Sequence, residues 1–197
     1  MRAEPSNTSS KDRRRRLLDA VLRVLAAKGI AGVSMRAVAR EAGVALGLVH
    51  YYFEDKTSLI VAALREIEEQ DLLILEPGSS PDPERRLRAA LRRVADPEFL
   101  TTEYLSLRMQ LWALAQVNDE YAEINSTAQA RYRDALSALV SAARPELSRR
   151  ECNQRATDID VIQNGVWLTT LLGLDQTAIR RSVARTEAIA LAPARAS

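Results

Sequence analysis

The 197 residues include one cysteine, one histidine, seven glycines, seven prolines and nine aromatic side chains. A lone Cys152 cannot close an intramolecular disulfide, so no scaffold of an oxidising compartment is expected, and the position reads as a small apolar residue. A lone histidine, His50, leaves no His/Cys set at metal-ligand spacing, and the scattered glycines build no phosphate-cradling loop. No metal or cofactor is therefore expected. Enzyme chemistry has no positive support either: the carboxylates are dispersed, and a catalytic reading would need turnover in a protein with His50 replaced. The most apolar run, "VIQNGVWLTTLLGL", is interrupted and too short to cross a bilayer, and "MRAEPSNTSSKDRRRR" has no apolar signal core. A cytoplasmic protein without membrane contact is the expectation.

Alternating Val/Ile/Thr-rich runs are missing too, whereas Ala, Leu and Arg are abundant, which predicts an all-α chain. A first helix reads from a Ser9/Ser10 cap to about Lys28, with Leu18, Val21, Leu22 and Leu25 on one face and Gly29 as its stop. Two short elements, 34–42 and 45–52, flank Gly43, and a longer helix follows from Lys56 to about Leu75. The turn-rich "EPGSSPDPE" is the clearest break. Asp82 and Pro83 restart a helix after it, and Asp96 with Pro97 repeats the device, opening a helix through Tyr104, Leu107, Leu111 and Leu114. Further helices read over 119–143, over 148–173 behind a Ser148/Glu151 capping box, and from Asp175 to about Ile189.

The net charge of +2 is unevenly placed: residues 1–56 hold eleven Lys/Arg against six Asp/Glu, and the remainder seventeen against twenty. A basic module joined to a mildly acidic body is expected when only the first part meets nucleic acid. "KDRRRR" at the start of the first helix opposes the helix dipole, so local helix stability does not account for it. Phosphate contact does, with plain solvation as the alternative.

Ser34 to Lys56, "SMRAVAREAGVALGLVHYYFEDK", has the spacing of two helices crossing steeply. Ala39 lies where the axes approach, Gly43 in the turn and Val49 against the first helix, while Val38, Ala42 and Val44 complete a small core. His50, Tyr51, Tyr52 and Phe53 then stand in a row, and successive helical positions project about 100° apart, so the four cannot share one core. With Val49 and Phe53 turned inward, His50, Tyr51 and Tyr52 face elsewhere.

This segment resembles the DNA-binding domain of the TetR family of one-component bacterial regulators. The resemblance is carried by Ser34, Val38, Ala39, Ala42, Gly43, Val44, Gly47, Tyr51, Tyr52, Phe53, Lys56 and Leu59. It implies a disordered arm over 1–10, a three-helix helix-turn-helix DNA-binding domain over 11–56, a helical ligand-binding and dimerisation domain over 57–190, and a tail over 191–197. It also implies a DNA face of Ser34, Arg36, Ala45, Leu46, Gly47, His50, Tyr51, Tyr52 and Lys56, with Phe53 plugging the junction to the long helix. Phenol, imidazole and ammonium groups donate to phosphate oxygens. Arg36 matches a position that reaches a guanine in some relatives, and its planar fork suits the O6/N7 edge; a plain surface arginine is the alternative. Leu46 departs from the polar residue common at its place and offers only apolar contact, for instance with a thymine methyl. Ala45 departs where Ser or Thr usually caps the recognition helix, a loss on the order of 1 kcal/mol.

"NGVWLTTLLGL" and the earlier "LSLRMQLWALAQ" resemble the TetR subgroup related to regulators of betaine synthesis, which implies a similar C-terminal domain without carrying choline over as the ligand. Phe99, Tyr104, Trp112, Tyr121 and Trp167 could line a pocket suited to a quaternary amine, against a plain core reading. Asn164 and Gly165 inside an apolar helix point to a polar ligand contact or to close packing, because glycine there costs about 1 kcal/mol and a buried amide needs a partner. The last two long helices are implied to form a homodimer interface. The expected function is a ligand-responsive dimeric repressor that binds palindromic double-stranded operator DNA and is released by a small-molecule effector. A DNA-binding regulator or architectural protein with no small-molecule response is the alternative.

Overall fold

The structure, a computed structural model, describes residues 10–76, 78, 80–173 and 175–194. Among these residues there are nine α-helices, one 3-10 turn and no strand. The arm expected over 1–10 lies outside the described residues except for Ser10, and the expected tail is described only as far as Ala194. The chain divides into two compact units between Glu66 and Ile67.

The first unit holds α1 (Ser10–Gly32), α2 (Met35–Ala42), α3 (Leu46–Tyr52) and the first half of α4 (Lys56–Ile74). Along α1, Leu17, Leu18, Val21, Val24 and Leu25 are buried while Arg13 to Arg16 stay in solvent, so one apolar stripe fixes its orientation. Gly29 (φ 63°, ψ −176°) breaks the helical path at the predicted stop, in a conformation that only glycine adopts without strain. Ser34 opens α2 by accepting the Ala37 N–H at 3.2 Å. Gly43 (φ 66°) closes it, and the Val44 N–H donates to the Ala39 carbonyl at 3.0 Å, which turns the chain into α3. Ala45 precedes α3 with no side-chain cap, as expected of a methyl group.

The second unit continues from α4 through α5 (Pro83–Arg93), a 3-10 turn (Pro97–Phe99), α6 (Thr102–Leu114), α7 (Asp119–Ala143), α8 (Arg149–Leu171) and α9 (Gln176–Leu191). One expectation fails here. Asp96 makes no side-chain cap, so the helix it was to open amounts to a single 3-10 turn, and α6 starts afresh at Thr101, whose hydroxyl accepts the Tyr104 N–H at 3.2 Å. The Ser148/Glu151 capping box of α8 forms as predicted. In this unit α8 packs against α7, α9 and α6, and α5 lies against α7 and α9. Leu87, Leu91, Leu105, Leu136, Val140, Cys152, Ile159 and Trp167 are among the side chains of the shared core.

Candidate nucleic-acid interface and ligand chamber

Helix α3 is seven residues long and anchored by two side chains, Val49 and Phe53, both buried. That anchorage turns Gly47, His50 and Tyr51 outward; Tyr51 is 77 % exposed and its hydroxyl makes no hydrogen bond among the described residues. A Cβ added at Gly47 would meet nothing within 4 Å, so the backbone there is open to close approach. Ala45, Ser34 and Arg36 are exposed on the same unit, while Leu46 is half-buried.

Two of the expected phosphate donors are tied down within the unit. The Tyr52 hydroxyl donates to the Ser10 carbonyl at 3.2 Å, pinning α3 to the start of α1, and its ring meets Tyr51 edge to face at 5.0 Å. Lys56 Nζ donates to the Ile30 carbonyl at 2.9 Å, just beyond the Gly29 break, which leaves two ammonium N–H groups for another acceptor. The Arg14 guanidinium lies 5.9 Å from the Phe53 ring, and Arg15 pairs with Asp19 and Glu66. Arg13, Arg16, Arg36 and Arg40 are exposed and form no ion pair among the described residues.

In the second unit the chemistry is internal. Arg108 of α6 is 2 % exposed and its guanidinium carbon lies 3.8 Å from the Trp167 ring centre, 5.0 Å from Trp112 and 5.9 Å from Tyr104. Asp71 of α4 is its counter-ion and also accepts the Tyr104 hydroxyl. Burial pushes the Asp71 carboxyl up, with Arg108 and Tyr104 pulling the other way. Burial also works against the Arg108 charge, but Asp71 and Tyr104 outweigh it and hold the guanidinium above its ordinary value. Burial raises the Tyr104 phenol in turn, reinforced by Asp71, so it remains a neutral donor.

A second polar layer follows on α8. Asp160, raised by burial and opposed by Arg133, accepts from Asn164 Nδ2 at 3.0 Å and from Arg133 at 3.4 Å. The Tyr132 hydroxyl donates to Gln163 at 2.9 Å. Buried Asn164 Oδ1, Gln163 Nε2 and Trp167 Nε1 have no hydrogen-bond partner among the described residues. Beside this layer a cavity of about 370 Å³ is lined by Trp112, Ala115, Ala122, Asn125, Ser126, Gln129 and Asn164.

Of the residues expected around a ligand, Trp112 and Asn164 line the cavity, whereas Tyr104 and Trp167 surround Arg108 instead. Phe99 belongs to the core and touches the group only through Tyr104, at 5.9 Å between ring centres; Tyr121 is buried and does not line the cavity. Sequence reasoning missed Arg108, Asp71, Asn125 and Gln129. The signal for the first was a lone arginine between apolar neighbours in "LSLRMQLWAL".

Residues 17–68 match the family described as bacterial regulatory proteins, tetR family, and residues 83–191 match the BetI-type transcriptional repressor, C-terminal. The HTH-type transcriptional regulator BetI of Escherichia coli (strain K12) is 31% identical over 175 residues, 84% of this chain and 87% of that protein. A TetR transcription regulator from Haloarcula marismortui ATCC 43049 superposes with a TM-score of 0.78 at 18% identity, over 91% of this chain and 97% of that one. A Saccharomonospora viridis protein in complex with choline gives 0.73 at 19% identity, over 90% and 94%. At these identities the two structures speak for the fold alone. The family matches and the BetI relative speak for more: this chain belongs to the TetR family, with a BetI-type C-terminal domain, and is a DNA-binding transcriptional regulator rather than an enzyme.

Proposed function

We propose that the chain acts in the cytoplasm as a dimeric repressor that binds an inverted-repeat operator and is released by a small molecule. The observation that carries the DNA half is α3: buried Val49 and Phe53 hold Gly47, His50 and Tyr51 outward, and Arg36 of α2 is exposed as well. Tyr51, His50 and the free N–H groups of Lys56 take phosphate oxygens, Ser34 and the uncapped start of α3 at Ala45 lie at the backbone, and Tyr52 steadies the helix. Arg36 reads a base edge, with Leu46 as an apolar neighbour.

Dimerisation is supported by α8, where Val161, Gly165, Leu168 and Leu172 form one exposed row, 64 %, 45 % and 77 % exposed at the three large residues. A two-fold dimer is expected to take an inverted repeat whose half-sites lie about one DNA turn, roughly 34–36 Å, apart. The cavity beside Trp112 and Asn164 supports the effector half. Helix α4 carries Lys56 near one end and Asp71 near the other, so a ligand that repacks the Asp71 surroundings reaches the DNA-binding unit through one element. Linkage requires effector and operator to weaken each other by the same factor.

The test is operator selection from random DNA, followed by mobility shift with wild type and Tyr51→Ala. An inverted repeat bound by dimers is expected, and enrichment of no sequence would defeat the reading.

A further inference from the structure

Three aromatic rings and a carboxylate form the surroundings in which a quaternary ammonium is most stable. In this chain they surround a guanidinium of its own. Arg108 lies between Trp167, Trp112 and Tyr104, and the Asp71 carboxylate that would balance a ligand cation is already paired with Arg108 and with the Tyr104 hydroxyl. A cationic ligand would have to expel a buried, paired charge before it could sit there.

The adjoining cavity shares Trp112 as a wall and has a different chemistry, since none of its lining side chains is ionisable. Asn164 is one of the lining residues, and its buried side-chain oxygen has no hydrogen-bond partner among the described residues. Asn125 has its Nδ2 engaged by the Leu111 and Tyr121 carbonyls, at 3.3 and 3.0 Å, which leaves its oxygen as the second acceptor. Amide and hydroxyl groups without a carboxylate can accept from a neutral donor and give a cation no counter-ion.

We infer that Arg108 is a built-in occupant of the aromatic seat formed by Tyr104, Trp112 and Trp167, and that the chamber therefore takes an uncharged, hydrogen-bond-donating effector in the cavity beside Trp112. The seat stands on its own geometry; the effector class rests on the ligand-responsive reading above.

The experiment is calorimetric titration of choline, tetramethylammonium and 3,3-dimethylbutan-1-ol, which has the shape of choline without its charge. The full-length proteins titrated are wild type, Arg108→Ala and Asp71→Asn/Arg108→Ala. Wild type is expected to bind the alcohol at least about tenfold more tightly than choline, and Arg108→Ala to gain at least about tenfold in tetramethylammonium affinity. Removing the carboxylate as well abolishes that gain. Should Arg108→Ala not fold alone, the gain is read as recovery of its cooperative melt in tetramethylammonium chloride relative to sodium chloride at equal ionic strength.

Choline binding wild type as tightly as the alcohol overturns the inference. So does a wild type that takes neither compound, or tetramethylammonium that neither binds nor restores Arg108→Ala. Operator release from wild type by choline would sink the effector class and keep the ligand-responsive reading. Release by no compound, neutral or charged, would sink that reading and leave the Arg108→Ala result to decide the seat.

Discussion

Arginine does opposite work in the two units. Arg13, Arg16 and Arg36 of the first stand in solvent without a carboxylate among the described residues, whereas Arg108 and Arg155 of the second are buried. Arg108 has Asp71, and Arg155 donates to the Ala190, Ala192 and Pro193 carbonyls at 3.2, 2.6 and 2.9 Å. The exposed set has its donors open to solvent, and any attraction they exert on a polyanion is one that salt screens. The buried set holds internal shape and is indifferent to salt. Mutating one of each should therefore move different observables.

The largest effect is expected inside. Arg108→Ala leaves Asp71 as an uncompensated buried carboxylate and should cost about 3–5 kcal/mol in urea unfolding, part of which Asp71→Asn in the same chain restores. The loss should shrink in acid. A carboxyl raised in the folded state binds its proton before the unfolded chain does, so its contribution is most favourable below the ordinary Asp value and falls as pH rises through the folded one. An Arg108→Ala loss below about 1 kcal/mol at pH 7 would mean that the pair is not the buried unit described here.

The next comparison uses residues two apart. Phe53→Ala should cost about 3–5 kcal/mol because the ring is buried. Tyr51→Ala should stay within about 0.5 kcal/mol of wild type in stability and still weaken every DNA sequence alike. Equal destabilisation by the two would contradict the division of α3 into an inner and an outer face.

Smaller shifts separate reading from holding. Arg36→Ala should relax preference at one base pair by ~1–3 kcal/mol, seen in competition between operator variants. Lys56→Ala should flatten the salt dependence of binding by about one unit without changing preference. Ala45→Ser supplies the missing acceptor at the start of α3 and should raise stability by about 1 kcal/mol, measured by thermal melting.

What was legible in the sequence divides along the same line. In the first unit, spacing is the fold: Ala39, Gly43 and Val49 each satisfy a steric demand that a few residue types can meet, so the turn, the left-handed glycine and the inward Val49 and Phe53 were all readable. Helix ends were readable in the second unit wherever a side chain caps them, as at Ser148 and Asp175. Asp96 misled because the residue type fits a cap, whereas its carboxylate lies beside Arg93 and accepts no backbone N–H at the helix start. The chamber was only half readable. Aromatics at helical spacing announce burial and not what they enclose, and the partner that decides the matter, Asp71, is 37 positions from Arg108. Pairing across that separation is a product of packing and leaves no local pattern.

The smallest expected effect carries the most informative sign. Gly165 sits inside α8, where a glycine is unfavourable, and an added Cβ would meet nothing within 4 Å in the chain itself. In an isolated protomer Gly165→Ala should therefore stabilise by about 0.5–1 kcal/mol through backbone entropy. If Val161, Gly165, Leu168 and Leu172 instead meet the same row of a second copy, the glycine lies where the helix axes come closest, and a methyl group forces them apart from the usual 8–10 Å separation. The dimer would then weaken although each protomer gains. Melting followed across protein concentration, with sedimentation in parallel, separates the two: a lowered, concentration-dependent melting temperature and a larger dissociation constant are expected. A variant more stable than wild type at every concentration would return this face of α8 to solvent and move the dimer interface elsewhere.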